Sequence, residues 1–450
     1  MDNLIISISG IRGIYGKSLT EDIAVRAGRA FGLWTNTENI VVGRDTRVSG
    51  NSLMQSFMAG VSSAGKRVFD CGIVPTPALT WFIEKHHNFS GTVITASHNP
   101  VEYNGIKLIS PSGTFLNPVE FKDFLDIYNK TDILDIKGRA EIMGEKKDLM
   151  DNFFSCLFNY IDVSAIRKKR FKVVVDPVQG VGALYSKKFL EMLGCEIKII
   201  NENPLGKFSH QPEPVPSHLR KLSYVMRIEN ADIGFAQDPD CDRLVLVEKS
   251  GKFVSEEQGL AISVYWMLHR KKGPVVVNIA TTRLVDDICK EFKTQLLRTK
   301  VGEVFVVEEM KRVGAVAGGE GNGGIILPEF HYGRDSYIGM GLILEMMAKT
   351  SLSLSEIIEK FPRYKFVKRK ISFPRERIEC LYKSLEKEFS SGKINYLDGF
   401  RIDFDDTWLG IRSSGTEPII RIFVEGKKQN RVYRIINLID RHVASCGRNF

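Results

Sequence analysis

The sequence predicts an α/β fold: three similar mixed α/β domains and a smaller C-terminal α+β domain around a central cleft. The chain runs three times through a β-branched triplet into a polar turn, in "NIVVGRDTR" (39–47), "KVVVDPVQG" (172–180) and "PVVVNIATTR" (274–283). Each run is followed by apolar residues at helical spacing, as in "SKKFLEMLGCE" (186–196) and "LVDDICKEF" (284–292). Unbroken Val/Ile runs that end on Gly, Asp or Thr and lead into a 3.6-residue period belong to buried parallel strands of α/β units. From residue 366 the pattern changes to alternating strands and two helices. That is a separate α+β unit.

Taken in order, residues 1–150 hold the first Val run and the strand pair "GTVIT" (91–95) and "GIKLI" (105–109). Residues 151–252 hold the second run, its helix, and the strands "DIGFA" (232–236) and "LVLVE" (244–248). Residues 253–365 hold the third run and a Gly-rich segment, and end on the linker "FPRY" (361–364). Residues 366–450 give a strand and helix in "ISFPRERIECLYKSLEKEFSS", a meander in "LDGFRIDF", "TWLGIRSS" and "IIRIFVEG", and a closing helix in "NRVYRIINLIDRHV".

At 450 residues, 43% apolar and 26% charged, the composition is that of a globular protein able to bury large cores unaided. The segment "MDNLIISISGIRGIYG" has no basic flank and no small-residue cleavage site, and no stretch reaches 18 apolar residues, so a cytoplasmic location is expected. Seven scattered cysteines without a C-x-x-C pair fit reduced thiols and argue against a zinc site or a disulfide framework. The net charge of +9 invites an acidic partner. Its densest runs, "RKKRFK" and "YKFVKRK", precede or enter strands, so small phosphorylated substrates fit better than nucleic acid.

Four stretches can carry chemistry. In "GTVITASHNPVEYNGIK" (91–107) an apolar strand delivers Ser97 to a strand-end loop, where open α/β sheets place ligands. Ser97 there is a candidate nucleophile or phosphoryl carrier, with His98 and Lys107 within reach. Read alone, the segment is more simply a turn that caps its own backbone. In "GFAQDPDCDRLVLVE" (234–248), Asp238, Asp240 and Asp242 stand at period two and would repel without a cation; a solvated acidic turn is the alternative, but the flanking apolar strands point to a buried origin, and hard oxygen ligands suit Mg²⁺. An EF-hand is ruled out because its sixth and twelfth positions are Arg243 and Lys249. Arg243 is placed to neutralise an anion beside the ion.

In "GGEGNGGIILPEFHYGRD" (318–335), glycines bring backbone close to a ligand while Glu320 and Asn322 offer the acceptors and donors that sugar hydroxyls need. A Gly-rich linker is the alternative, and neither nucleotide-binding glycine pattern matches. In "IRSSGTEPIIRIFVEG" (411–426), Ser413, Ser414, Gly415 and Thr416 make a turn of N–H groups and hydroxyls flanked by Arg412 and Arg421, a nest for phosphate or a plain hairpin turn. In combination, one stretch per domain, they describe metal-assisted phosphoryl transfer on a phosphorylated sugar.

These stretches, with "SGIRG" (9–13), "VVGRDTR" (41–47), "VPTPAL" (74–79), "VVVDPVQGVG" (173–182) and "TKVGEVFVVEEM" (299–310), resemble the α-D-phosphohexomutase superfamily over essentially the whole chain. The resemblance implies a phosphoserine at Ser97, Mg²⁺ held by Asp238, Asp240, Asp242 and Ser97, and charge stabilisation by Arg243 and Lys107. It implies sugar contacts from Glu320 and Asn322, with His331 and Arg334 of "HYGRD" as further candidates, and a distal phosphate on Arg412, Ser413, Ser414, Gly415, Thr416 and Arg421. Lys107 and His98 are the candidate proton carriers, with Arg12 as a further catalytic residue nearby. A hexose 1,6-bisphosphate is the implied intermediate and activator, and small sugar phosphates are the implied partners. Nucleic acid and membrane are not expected, and the chain would be a monomer or homodimer. Three departures stand out: "SISGIRG" lacks a Thr/Asp pair, Asn322 and Gly324 replace the commoner Ser and His of the sugar loop, and Ser336 follows Asp335. The "GEGNGG" loop is similar to sequences of the phosphoglucosamine mutase type, with glucose and mannose phosphates as the alternative substrates.

Overall fold

The computed structural model describes residues 4–132, 142–145, 148–413 and 418–447. Its strands form four sheets, of seven, five, four and five strands in chain order. The three Val runs become Asn39–Arg44, Lys172–Asp176 and Val275–Asn278, and each is an interior strand of its sheet. Each pairs in parallel with one strand on either side, Arg67–Ile73 and Phe89–Ile94 in the first sheet. The partners are Glu196–Ile199 and Ile233–Gln237 in the second, and Leu296–Thr299 and Ala317–Glu320 in the third. In all three, the last of these strands turns back into an antiparallel neighbour: Tyr103–Ile109, Leu244–Glu248 and Gly324–Ile326. The Val strands are buried because helices cover both faces, which is why they read as unbroken Val/Ile.

The C-terminal sheet is wholly antiparallel and carries the helices Ile378–Glu388 and Gln429–Gly447 on one face. Its core of Leu381, Leu409, Ile422, Val432 and Ile439 is separate from the rest. The first three units instead share one large core in which Trp81, Phe153, Phe330 and Tyr337 meet. The helix Ser336–Thr350 runs through it and is buried on every side as far as Ala348. Its one buried carboxylate, Glu345, is satisfied by the Trp266 indole N–H and the Asp162 backbone N–H.

One expectation is overturned. Cys380 and Cys446 are joined as a disulfide between the two helices of the C-terminal unit, with Cα atoms 6.2 Å apart, while the other five cysteines are free. The pair is 66 residues apart in sequence, so it has no spacing signature. Among the described residues no helix is long and apolar enough to cross a membrane.

Candidate active site

Ser97 follows strand Phe89–Ile94 in the turn to Tyr103–Ile109. It is 3% exposed and has φ +49°, a left-handed conformation that a serine adopts only under restraint. The restraint is Arg47, from the polar turn after the first Val run. Its guanidinium donates to the carbonyls of Ser97, Asn99, Pro100 and Tyr103 at 2.6–2.8 Å, and its Nε donates to Asp45 at 3.0 Å. Asp45 also accepts from the Thr95 hydroxyl, whose oxygen accepts the Ser97 N–H. Held this way, the Ser97 hydroxyl donates to Asp238 Oδ2 at 2.7 Å.

Asp238, Asp240 and Asp242 occupy the turn between Ile233–Gln237 and Leu244–Glu248. Asp238 Oδ1 shapes the turn by accepting the N–H groups of Asp242 and Arg243. Three carboxylate oxygens, one from each residue, lie within 4.8 Å of one another and all three side chains are buried. Asp240 Oδ1 and Asp242 Oδ1 have no hydrogen-bond partner. Burial, then Asp242 and Asp240, pushes the Asp238 carboxyl well above the usual carboxylate range. Burial works the same way on Asp242, but Arg334 and Lys107 outweigh it and hold that group below its ordinary value. Crowded hard oxygens with two orphaned lone-pair sites fit a divalent metal ion.

Cations surround the triad. Lys107 Nζ donates to Asp240 at 2.7 Å and Asp242 at 3.2 Å. Burial opposes its charge, yet the two aspartates hold its pKa above the ordinary lysine value. Arg334 reaches Asp242 at 2.6 Å, Glu303 at 2.7 Å and Glu320 at 3.3 Å, so it bridges the metal and sugar loops. Arg243 Nε lies 3.8 Å from Asp242, and Arg12 donates to Asn99. His98 Nδ1 is 3.4 Å from the Ser97 hydroxyl. Burial first, then Arg243 and Arg12, keeps its imidazole well below the usual histidine range, hence neutral.

The Gly-rich loop expected to contact the sugar is the turn between Ala317–Glu320 and Gly324–Ile326. Glu320 accepts from Asn278 and the Gly302 N–H, and the Asn322 side chain accepts from the Gly324 N–H. A Cβ at Gly324 would lie 2.2 Å from Arg334 Cδ, so the arginine fills the space of a side chain there. His331 is not part of this cluster. It is 1% exposed, packs on Phe330 and Phe153, and pairs with Asp335, the N-cap of the buried helix. Its side chain is turned into that aromatic core and anchors the helix through Asp335.

In the C-terminal unit, Arg412 and Arg421 stand directly opposite on strands Thr407–Ser413 and Ile419–Gly426. Ser413 ends the first of these strands, and the expected nest residues Ser414, Gly415 and Thr416 lie outside the described residues. Lys370 faces Arg421 from the other side, giving a row of three cations across adjacent strands. Ile420 and Ile422 point into the core, so the row lies on the opposite face. Like charges opposite one another destabilise a sheet, a cost that the ion pair of Arg412 with Asp398 offsets in part.

Four family profiles match in chain order. They are described as phosphoglucomutase/phosphomannomutase α/β/α domain I (residues 4–133), domain II (151–251), domain III (255–364) and the C-terminal domain (379–442). The chain belongs to the phosphoglucomutase/phosphomannomutase family. It is thus a phosphohexomutase, an isomerase of the α-D-phosphohexomutase superfamily. A Thermococcus kodakarensis protein named phosphoglucomutase/phosphomannomutase is 37% identical, with 95% of this chain and 96% of the relative covered. A Sulfurisphaera tokodaii protein named phosphoglucosamine/phosphogalactosamine mutase is 32% identical, with 96% and 98% covered. The crystal structure of a phosphoglucomutase/phosphomannomutase family protein from Burkholderia thailandensis superposes with a TM-score of 0.86 at 26% identity, covering 99% of both chains.

Several residues around this phosphohexomutase site have no chemical role legible in the sequence, although Asp45, Arg47, Thr76 and Glu303 lie in segments that carry the family resemblance. Arg47 and Asp45 belong to a strand-end turn, Thr76 donates to Asp240 at 2.7 Å, and Glu303 holds Arg334. Lys370 sits in a run that reads as a solvated edge. Only the cross-strand register reveals it.

Proposed function

We propose that the chain interconverts hexose 1-phosphate and hexose 6-phosphate through a phosphoserine at Ser97, with glucosamine phosphate as its substrate. The observation that carries this reading is the Ser97 hydroxyl set 2.7 Å from Asp238, in a triad with two unpartnered carboxylate oxygens. Asp238, Asp240, Asp242 and the Ser97 oxygen would hold Mg²⁺. When bound, the ion supplies charge compensation for the phosphoryl group in transfer.

In the transfer, the bond from phosphorus to the Ser97 oxygen breaks as one to a sugar hydroxyl oxygen forms. The hydroxyl proton ends on the Ser97 oxygen. His98, neutral and 3.4 Å from that oxygen, is placed to carry it, whereas Lys107 is held charged by two aspartates and serves as a fixed cation. Lys107, Arg243, Arg334 and Arg12 offset the anionic charge. Glu320 and Asn322 read sugar hydroxyls, while Arg412 and Arg421, with Lys370 beside them, grip the distal phosphate. The product of the first transfer is a hexose 1,6-bisphosphate, which turns end for end and returns its other phosphoryl group to Ser97. The same compound activates dephosphorylated enzyme.

The choice of glucosamine phosphate is supported by the "GEGNGG" loop and by the name of the 32%-identical relative. The 37%-identical relative favours glucose and mannose phosphates as the second reading. A mutase assay on the 1-phosphates of glucosamine, glucose and mannose, with Mg²⁺ and the matching bisphosphate, tests both. Turnover is expected to be highest with glucosamine 1-phosphate, to stop with a chelator, and to vanish in Ser97→Ala together with a phosphoryl-sized mass increment on the intact protein. Undiminished turnover in Ser97→Ala would sink the phosphoserine route.

A further inference from the structure

The C-terminal unit meets the rest of the molecule through polar contacts. Glu425 accepts from Thr282 and the Arg283 N–H, Arg283 donates to the Phe404 carbonyl, and Arg401 donates to the Ile279 carbonyl. With its own core on one side and a polar seam on the other, such a unit can undock as a body. One contact across the seam involves the phosphate-gripping residues. Asp398, in the turn before strand Phe400–Asp403, uses a single oxygen, Oδ2, both to form an ion pair with Arg412 Nε at 2.9 Å and to accept the Val301 N–H at 2.9 Å.

Val301 opens a hub of three consecutive residues. The next N–H, of Gly302, donates to Glu320 Oε1 at 3.0 Å. The third residue, Glu303, holds Arg334, whose other end is on Asp242. Gly302 has φ +133°, a conformation closed to other residues, which lets successive N–H groups serve carboxylates from two directions. Residues 301–303 therefore touch the phosphate-gripping strand through Asp398, the sugar loop through Glu320 and the metal loop through Arg334.

We propose that Asp398 is a positioning residue that makes docking of the C-terminal domain on the Val301 N–H a condition for aiming Arg412 at the distal phosphate. Docked, the two donors share one carboxylate oxygen and Arg412 is fixed in one orientation. Undocked, Asp398 loses the Val301 donor, Arg412 regains rotamer freedom, and the grip weakens. The kinetic consequence rests on the phosphohexomutase reading; the docking contact does not.

The test uses Asp398→Asn, Asp398→Glu, Arg412→Ala and the double variant Asp398→Asn/Arg412→Ala in the full chain. Loss of a charge-assisted bond predicts a KM for glucosamine 1-phosphate raised about tenfold to hundredfold in Asp398→Asn, with a smaller change in kcat. Asp398→Glu should recover part of the loss. Because Asp398 acts through Arg412, the double variant should be no worse than Arg412→Ala alone. Hydrogen exchange over residues 299–304 should be slowed by glucosamine 6-phosphate in wild type and unaffected by it in Asp398→Asn. Wild-type KM in Asp398→Asn, or losses that add in the double variant, would overturn the proposal. So would equal exchange protection in the two proteins. If the wild type shows no mutase turnover on any of the three sugars, the functional reading fails, and ligand-free exchange over residues 299–304, expected to be faster in Asp398→Asn than in wild type, still decides the docking contact; equal ligand-free exchange would overturn it.

Discussion

Arg47→Met is the sharpest probe of how the catalytic loop is held. Arg47 is fully buried, and its contacts number four carbonyls and one carboxylate. Methionine keeps much of the volume but donates nothing. It strands Asp45, itself fully buried, whose carboxyl is already pushed upward by burial and is restrained chiefly by Arg47. Leaving one member of a buried pair alone costs about 3–5 kcal/mol. The left-handed Ser97 backbone stores a further ~1–2 kcal/mol that only the grip on its carbonyl contains. The loop should relax, carrying the hydroxyl off Asp238. We expect turnover to fall at least about a hundredfold, the magnitude of ~2.7 kcal/mol in the transition state. Hydrogen exchange over residues 95–104 should rise in parallel. In Asp45→Asn/Arg47→Met the stranded charge is gone, so stability should partly return, yet turnover should not because the four carbonyls still lack donors. Turnover within threefold of wild type and unchanged exchange in Arg47→Met would refute the reasoning.

Two other substitutions test the surroundings. A Cβ at residue 324 would lie 2.2 Å from Arg334 Cδ, and Arg334 cannot yield without leaving Asp242, Glu303 or Glu320. Gly324→Ala should therefore lower kcat/KM about tenfold or more for all three sugar phosphates, and unchanged kinetics would mean that the arginine is not fixed there. Glu257 is buried beside the C-terminal domain; burial raises its carboxyl from 4.5 to about 7, against the opposing pull of Lys368. The folded chain then binds more protons than the unfolded one between those values, so stability is full below pH 4.5 and declines as pH rises through 7. The amplitude is on the order of 3 kcal/mol. Urea titrations at pH 5 and pH 8 should show this decline in wild type and a smaller one in Glu257→Gln; equal declines would refute it.

The repeated plan was legible because burial wrote it into the sequence. The three Val runs are interior strands of three sheets with the same local order: antiparallel neighbour, parallel neighbour, Val strand, parallel neighbour. The aspartate triad was legible because three carboxylates at period two have few bland explanations. What stayed hidden depends on contacts distant in sequence. His331 looks like a sugar ligand beside Arg334, yet only the fold turns it into the Trp81–Phe153–Phe330 cluster. Arg47 acts on carbonyls about 50 residues away, and a carbonyl acceptor leaves no mark in residue type. Lys370 gains its place from strand register, and the Cys380–Cys446 disulfide from helix packing.

Turn length explains why Ser97, among the candidate groups, needs the most bracing. The sugar loop spans only residues 321–323 between paired strands, so the ladder itself fixes it and its glycines supply the backbone freedom. The metal turn spans 238–243 and braces itself, with Asp238 Oδ1 accepting two N–H groups of the same turn. The Ser97 turn spans 95–102, too long for its flanking strands to hold and required to keep a strained residue at its third position. A brace from outside the turn is then a physical necessity. The adjacent parallel strand Asn39–Arg44 ends beside it and delivers Asp45 and Arg47 within three residues of its last pair. The Val run thus does two jobs: it forms an interior strand of the sheet, and its polar end holds the serine next door with its hydroxyl on Asp238.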